Sequence, residues 1–139
     1  MARDERSFPV TKSNIAWQMQ LDETRHRVLR RGATEVAFSS DLVDEERRGV
    51  YRCAGCDAEL FTADDKFDSG TGWPSFTKPG DPSAIGTRRD WKLVLPRTEV
   101  HCATCGSHLG HVFGDGPRPT GKRFCINGLS LDFEPSPDA

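Results

Sequence analysis

Short apolar runs separated by polar turn residues dominate the chain from residue 50 onward. Gly, Pro, Asp and Asn stand between these runs, which cover residues 50–53, 58–61, 92–95, 97–102, 109–113, 122–126 and 129–133. Runs of this length with frequent turn signals are typical of strands in an antiparallel sheet. The pattern therefore predicts a mainly β domain.

A helix-compatible segment with few turn residues precedes these runs, from Ser13 to Arg31. Within it, Asp22 is a suitable N-cap, and Gly32 suits the position just past a helix C-terminus. We therefore predict a short helix from Asp22 to about Arg30.

Two other stretches predict little regular structure. Residues 1–12 are polar and charged, and we expect them to form a loose tail. The stretch 67–91 is rich in Gly, Pro and Ser, and we expect it to consist mostly of loops.

Composition and charge fit one ordinary folded domain. The chain has 139 residues, which is enough to bury a core without disulfides. Its 13 Gly and 9 Pro make 22 residues, a share well below the roughly 25–30% that signals disorder. Nineteen Lys and Arg against 21 Asp and Glu give a net charge of −2. Without a basic excess to hold phosphates, a nucleic-acid-binding function is disfavoured.

The sequence predicts neither a membrane span nor a secretory signal peptide. No stretch approaches the roughly 18 consecutive apolar residues of a membrane span, and no apolar run follows the charged N-terminus. The expected compartment is the cytoplasm, where stable disulfides are rare.

Four of the five cysteines form two Cys-x-x-Cys motifs, which are Cys53–Cys56 and Cys102–Cys105. Each motif follows a strand-like segment and precedes a turn residue, and two such knuckles supply the four soft ligands that Zn²⁺ takes in a tetrahedron. With all four positions filled by protein, the zinc would be structural and would cross-link two hairpins. Two redox dithiols or two disulfides are the alternatives, but neither motif precedes the helix that a redox Cys-x-x-Cys opens.

The fifth cysteine, Cys125, lies in a strand-like run with polar neighbours. Because alternate residues of a strand share a face, Arg123, Cys125 and Asn127 would point one way and the apolar residues between them would enter the core. A guanidinium beside the thiol is expected to lower the pKa of the thiol and favour the thiolate. A buried, inert cysteine is the alternative, but inert thiols normally have apolar neighbours.

Two histidines and one tryptophan are further candidates. His108 and His111 follow the second knuckle, where a bound metal would hold their turn rigid, and imidazole delivers protons near neutral pH. His101 is set aside as a structural group. Trp73, in a Gly-rich loop, either plugs the core or lines a pocket for a small apolar group, and both readings stay open.

Together these stretches resemble the methionine-R-sulfoxide reductases of the B type. Order and spacing both fit over about residues 22–134. The matching stretches are Cys53–Cys56 through Leu60–Phe61, Gly72–Phe76, His108–Phe113, Asp115–Pro117, Pro119–Gly121 and Arg123–Asn127. The resemblance implies a mainly β fold of two antiparallel sheets with short N-terminal helices and a zinc bridge, of the Mss4-like β-tent type. The reductase domain would span 22–134, between a tail and the start of a helical segment at 1–21 and a C-terminal tail at 135–139.

The resemblance also implies catalytic roles. Cys125 would attack the sulfoxide sulfur as the nucleophile. His108 and His111 would position and donate the proton that the sulfoxide oxygen needs. Asn127 would bind beside them, and Arg123 would support the thiolate. Release of methionine would leave Cys125 as a sulfenic acid, which another thiol must reduce.

Substrate binding is implied at Trp73 and Phe113, with the tryptophan ring against the substrate methyl group. An apolar wall for the methyl group and a polar wall for the oxygen would distinguish the two epimers at sulfur, because the wrong epimer exchanges these groups. The implied activity is reduction of the R epimer, mainly in proteins.

The chain departs from the family at four points. Thr71 stands where many members carry a resolving cysteine, so no thiol is left for an internal disulfide. We expect thioredoxin or another external thiol to reduce the sulfenic acid directly, and we expect a monomer. Ala33 replaces the first Gly of a Gly-Thr-Glu segment, and Val36-Ala37 follows where Arg-Pro is common, which affects local loop shape rather than the chemistry. Gly128 takes the place of the Ser that is usual after the catalytic Asn.

Two rival functions use the same residues differently. A zinc-stabilised protein-binding module would leave Cys125 inert, but it gives no reason for a nucleophile and proton donors to occur together. A cysteine hydrolase using Cys125 and His111 would need an oxyanion hole, and no motif indicates one.

Overall fold

The computed structural model describes residues 8–91 and 96–138. In these residues two helices precede nine strands, which form two antiparallel sheets. The helices are α1 (Asn14–Gln20) and α2 (Glu23–Arg31). The strands are β1 (Gly49–Cys53), β2 (Glu59–Thr62), β3 (Lys66–Phe67), β4 (Ser75–Phe76), β5 (Ile85–Asp90), β6 (Arg97–Cys102), β7 (His108–Phe113), β8 (Arg123–Ile126) and β9 (Leu131–Pro135). The predicted mainly β fold with two antiparallel sheets and short N-terminal helices is confirmed.

Capping residues define both ends of the predicted helix. The Asp22 carboxylate accepts the backbone N–H of Arg25 at 2.8 Å, and Gly32 ends α2 in the left-handed conformation with a φ of 72°. The helix-compatible segment is split in two because Leu21 takes an extended backbone after α1. Within the described residues, neither helix has the length and apolar character that crossing a membrane requires.

The smaller sheet has the strand order β2-β1-β9 and the larger one β3-β4-β8-β7-β6-β5. Strands lie in the apolar runs at 50–53, 58–61, 97–102, 109–113 and 122–126. In the run at 129–133 the strand begins only at Leu131, because residues 128–130 form a 3₁₀ turn. The run at 92–95 lies outside the described residues.

The expectation of mostly loops at 67–91 is wrong for β5. This six-residue strand pairs with β6 from Ile85 opposite Cys102 to Asp90 opposite Arg97. Its sequence has no apolar run because it is the last strand of the sheet, and all of its side chains are exposed or only half-buried. Backbone pairing rather than side-chain burial defines this strand, which is why the hydrophobic pattern missed it.

Aromatic rings pack between the two sheets. The Phe61 and Phe76 rings stack with centroids 4.5 Å apart, and Tyr51 meets Phe76 edge-on at 5.0 Å. These three side chains are fully buried, so β1, β2 and β4 are fixed relative to one another by contacts that strongly favour burial.

Part of the predicted N-terminal tail is docked instead of loose. Residues 1–7 lie outside the described residues. Val10 donates its N–H to the carbonyl of Thr104 at 2.9 Å, and the Phe8 ring meets His101 edge-on at 5.7 Å. Phe8 and Val10 are apolar side chains in an otherwise polar segment, and through them this segment packs against the second Cys-x-x-Cys motif.

Candidate active site and metal centre

The two Cys-x-x-Cys motifs meet where β1 and β6 end. The sulfur atoms of Cys53 and Cys105 lie 3.7 Å apart, and those of Cys56 and Cys102 lie 3.6 Å apart. All four lie within 4.8 Å of one another. A tetrahedron with Zn–S bonds of about 2.3 Å separates its sulfur atoms by about 3.8 Å. The four predicted ligands therefore fit one tetrahedral ion, and the cluster joins a strand of the small sheet to a strand of the large one.

Polar groups around the cluster orient its sulfur atoms. Gly55 donates its N–H to the sulfur of Cys53 at 3.3 Å, and the Ser107 hydroxyl lies 3.1 Å from the sulfur of Cys105. Arg30 of α2 donates to that hydroxyl at 3.1 Å and to the Cys105 carbonyl at 2.9 Å. Such outer contacts hold metal ligands in place, and the guanidinium would offset the negative charge of four thiolates around a divalent ion.

Strand register brings the candidate nucleophile to a histidine. On neighbouring strands of the large sheet, Cys125 lies opposite His111 on one side and opposite Ser75 on the other. Glu99 lies beyond His111 in the same row. Since side chains alternate between the two faces, Arg123 and Phe113 project from the same face as Cys125 and His111. The predicted orientation of the Arg-x-Cys-x-Asn segment agrees with the half-buried Arg123 and Cys125 alternating with buried Phe124 and Ile126.

A cleft of about 250 Å³ opens on this face of the large sheet. Its wall contains six of the seven side chains to which the sequence analysis gave roles in catalysis or substrate binding, namely Trp73, His111, Phe113, Arg123, Cys125 and Asn127. A larger hollow of about 910 Å³ includes Val112 and Phe124 of the opposite face, and none of the described cysteines lines it. The smaller cleft is therefore the candidate active site.

His108 is the seventh candidate and lies behind the cleft wall. Its side chain is 1% exposed, and its Nδ1 lies 2.7 Å from a carboxylate oxygen of Glu99. The His108 and His111 rings meet edge-on with centroids 5.4 Å apart. His111 is therefore the histidine that faces the cleft, and His108 contacts it from the interior.

His111 forms a hydrogen bond with an acidic residue that the sequence analysis missed. Its Nε2 lies 2.8 Å from a carboxylate oxygen of Asp90. Burial lowers the pKa of His111, while the hydrogen bond with Asp90 opposes that shift. Asp90 ends β5, in the stretch expected to be loop, and only the strand pairing brings it to the histidine. Glu99, in the predicted strand at 97–102, was missed because only the pairing of β6 with β7 brings it to His108.

The pKa of Cys125 is raised, in contrast to the lowering expected from its arginine neighbour. Burial of the thiol is the main cause, and Arg123 and the Thr71 hydroxyl only partly oppose it. Arg123 forms a two-point ion pair with Asp115, with nitrogen–oxygen distances of 2.9 and 3.2 Å. Because the guanidinium is already paired, its charge stabilises the thiolate less than the sequence analysis assumed.

Trp73 and Asn127 are both bound to the backbone of Glu35. The Trp73 indole N–H donates to the Glu35 carbonyl at 3.1 Å, and the Asn127 side-chain oxygen accepts the Glu35 N–H at 2.9 Å. Asn127 also donates to the Leu109 carbonyl at 3.0 Å. Trp73 thus lines the cleft instead of plugging the core, and the contacts of Asn127 hold two chain segments together at the cleft wall. The buried Glu35 carboxylate accepts the N–H of Leu129 at 2.8 Å.

A chain of hydroxyl groups runs beneath the loop that carries Trp73. Thr71, Ser69 and Ser75 are linked in that order by oxygen–oxygen contacts of 2.8 Å each. The Ser75 hydroxyl donates to the Trp73 carbonyl at 3.0 Å. Thr71 lines the cleft together with Cys125.

Comparisons with known proteins show the family to which the chain is similar. A family model described as "SelR domain" matches residues 21–135. The chain is similar to the peptide methionine sulfoxide reductase MsrB of Leifsonia xyli subsp. xyli, with 51% identity over 92% of this chain and 93% of that protein. It is also similar to the enzymes of that name from Agrobacterium fabrum, with 48% identity over 95% and 98%, and from Methanosarcina barkeri, with 49% identity over 90% and 88%.

Proposed function

This chain belongs to the SelR family of MsrB-type methionine sulfoxide reductases, and from that premise we propose that it reduces the R epimer of methionine sulfoxide, mainly in proteins. The observation that carries the proposal is the shared cleft of Cys125, His111 and Trp73. The cleft brings together a nucleophile, a proton-transfer group and an apolar ring, and this reaction needs all three groups.

In the first step the sulfur of Cys125 forms a bond to the sulfoxide sulfur while the sulfoxide oxygen takes up the thiol proton. The hydroxyl group then transfers to the cysteine sulfur, and both the substrate S–O bond and the new S–S bond break. The oxygen ends on Cys125, so that the thiol and methionine sulfoxide become a sulfenic acid and methionine. The substrate sulfur gains two electrons and the cysteine sulfur loses two. The Trp73 ring contacts the substrate methyl group while the oxygen faces His111, and the S epimer would exchange these two groups.

Proton transfer in this step runs through His111. Burial raises the pKa of Cys125 and lowers that of His111, so the resting pair is a thiol and a neutral imidazole. With Nε2–H donated to Asp90, Nδ1 is the nitrogen that accepts the thiol proton and passes it to the sulfoxide oxygen. Asp90 stabilises the imidazolium that forms in between, and His108 supports the ring from behind.

An external thiol completes the cycle. Four cysteines occupy the metal cluster and Thr71 fills the resolving position, which supports a one-cysteine cycle. Thioredoxin or another dithiol reduces the sulfenic acid, giving the Cys125 thiol, water and a disulfide in the reductant. We place this reaction in the cytoplasm, where such reductants keep thiols free, and assign it to a monomer.

One structural Zn²⁺ per chain fits the cluster of Cys53, Cys56, Cys102 and Cys105. The ion would supply the cross-link between the two sheets and would take no part in the reaction, because all four of its positions are filled by thiolates. By fixing the end of β6, this cross-link keeps the neighbouring β7, and with it His111, in register with Cys125.

The direct test is an assay of the separate R and S epimers of N-acetyl-methionine sulfoxide with dithiothreitol as the reductant. We expect turnover of the R epimer alone and its loss in Cys125→Ser. Zinc content and the circular dichroism spectrum of the variant serve as the folding control. Equal turnover of both epimers, or full activity of folded Cys125→Ser, would overturn the proposal.

A further inference from the structure

Residues 34–38, called the strap here, run along the edge of the candidate active site. Thr34 lines the cleft, and Trp73 and Asn127 both bind the backbone of Glu35. The strap continues past these contacts to the protein surface. Its outer residues therefore lie directly beside the wall that would receive the substrate side chain.

Two of the strap's outer side chains are large, apolar and exposed. Val36 is 77% exposed and Phe38 is 71% exposed. Only three other large apolar side chains among the described residues have comparable exposure, and they are Ile15, Met19 and Trp91. Exposed apolar groups that cluster next to a cleft are typical of a binding surface.

The backbone holds Phe38 in this exposed position. Phe38 has a φ of 64°, in the left-handed region that large side chains rarely adopt. Its N–H donates to the Gly72 carbonyl at 2.7 Å, and Gly72 immediately precedes Trp73. The Phe38 ring lies so close to Gly72 that a Cβ there would stand 2.7 Å from it. The aromatic ring is thus attached to the loop that carries the substrate-binding tryptophan.

The size of the cleft indicates what this surface binds. At about 250 Å³, the cleft is smaller than the roughly 300–1,000 Å³ of typical small-molecule sites. It can take the side chain of one oxidised methionine, while the rest of a polypeptide substrate must lie outside. The part of the chain next to that methionine then passes over the rim, where Val36 and Phe38 are.

We propose that the exposed face of the strap, formed by Val36 and Phe38, binds apolar residues that flank the oxidised methionine in a polypeptide substrate. The proposal rests on the reductase function proposed above and adds the recognition of substrate sequence. The strap gives the enzyme a preference for oxidised methionines in apolar stretches, which are exposed when a protein unfolds.

The test compares two substrates on the same enzyme preparation. One is a short peptide with methionine-R-sulfoxide between Leu and Phe, and the other is N-acetyl-methionine-R-sulfoxide amide. The measured quantity is the ratio of kcat/KM for the peptide to kcat/KM for the single residue. In Phe38→Asn, which keeps a residue tolerant of the left-handed backbone, we expect this ratio to fall about five- to tenfold. Val36→Ser should lower it about two- to threefold.

Matched controls come from α1, where Ile15 and Met19 are similarly exposed. We expect Ile15→Ser and Met19→Ser to leave the ratio unchanged. A ratio that stays at the wild-type value in both Phe38→Asn and Val36→Ser, or that falls equally in the α1 variants, overturns the proposal. Failure of the wild-type enzyme to reduce the single-residue substrate contradicts the reductase function itself, so the two failures are distinguishable.

Discussion

Single residues in the cleft show how burial and charge compete at the nucleophile. Cys125 shares a face with Arg123, yet burial raises its pKa above the ordinary value. The guanidinium is engaged by the exposed Asp115 carboxylate. The reactivity of the Cys125 thiol therefore depends on the ion pair between Arg123 and Asp115, in which Asp115 acts on the thiol only through Arg123.

We predict that the two partners of this ion pair have opposite effects on thiol reactivity. Arg123→Gln removes the positive charge and raises the pKa of Cys125 further, which lowers the thiolate fraction at pH 8. Asp115→Asn frees the guanidinium, lowers that pKa and raises the fraction. Iodoacetamide alkylation of Cys125 at pH 8 measures this fraction, and each variant should differ from the wild type by about two- to fivefold. Two shifts of the same sign would contradict the assignment.

At the scale of secondary-structure elements, α2 and most strands were predictable because their signals are local. Caps marked the helix, and apolar runs marked β1, β2, β6, β7 and β8. The edge strand β5 carries no such signal, and the Asp90–His111 contact follows only from its pairing with β6. Six of the side chains that line the cleft were predicted from the sequence, but Thr34 and Arg97, which also line it, were not. Glu35, Asp90 and Glu99 were missed as well, because residues that orient other groups are brought to them by strand register and not by sequence spacing.

The register of β5 leads to a prediction for Asp90. Asp90→Asn keeps the size of the side chain but removes the negative charge that stabilises an imidazolium at His111. We expect kcat for the R epimer to fall by about 10- to 100-fold with little change in KM. Steady-state kinetics measure both values. Asp64→Asn, at an exposed position, is the matched control and should behave as the wild type, whereas an unchanged kcat in Asp90→Asn would refute the role given to Asp90.

For the whole molecule, the four-cysteine cluster joins the two sheets in addition to the aromatic packing between them. The sequence predicted these ligands from spacing alone, since paired knuckles carry a strong local pattern. It did not predict that Phe8 and Val10 pack onto the second knuckle, because isolated apolar residues in a polar segment have no periodicity to indicate a contact.

Removal of the metal should therefore destabilise the entire fold. We expect one zinc per chain, and we expect chelation to lower the Tm by at least about 10 °C with loss of activity, since a structural zinc site contributes directly to folding. Calorimetry and metal analysis measure these effects. Cys125→Ser is the control and should keep both the zinc and the Tm of the wild type. An unchanged Tm after complete zinc removal would show that the cluster does not hold the sheets together.

The central claim is that Cys125 alone carries the oxidised state of the enzyme. Intact-mass spectrometry after a single exposure to methionine-R-sulfoxide without reductant tests this directly, with a dimedone adduct locating the modification. Thr71→Cys provides the contrast, because a thiol at position 71 can attack the sulfenic acid and leave a protein two hydrogens lighter. The account predicts a wild-type enzyme heavier by one oxygen at Cys125. A wild-type enzyme two hydrogens lighter, or one unchanged in mass after methionine has formed, would contradict it.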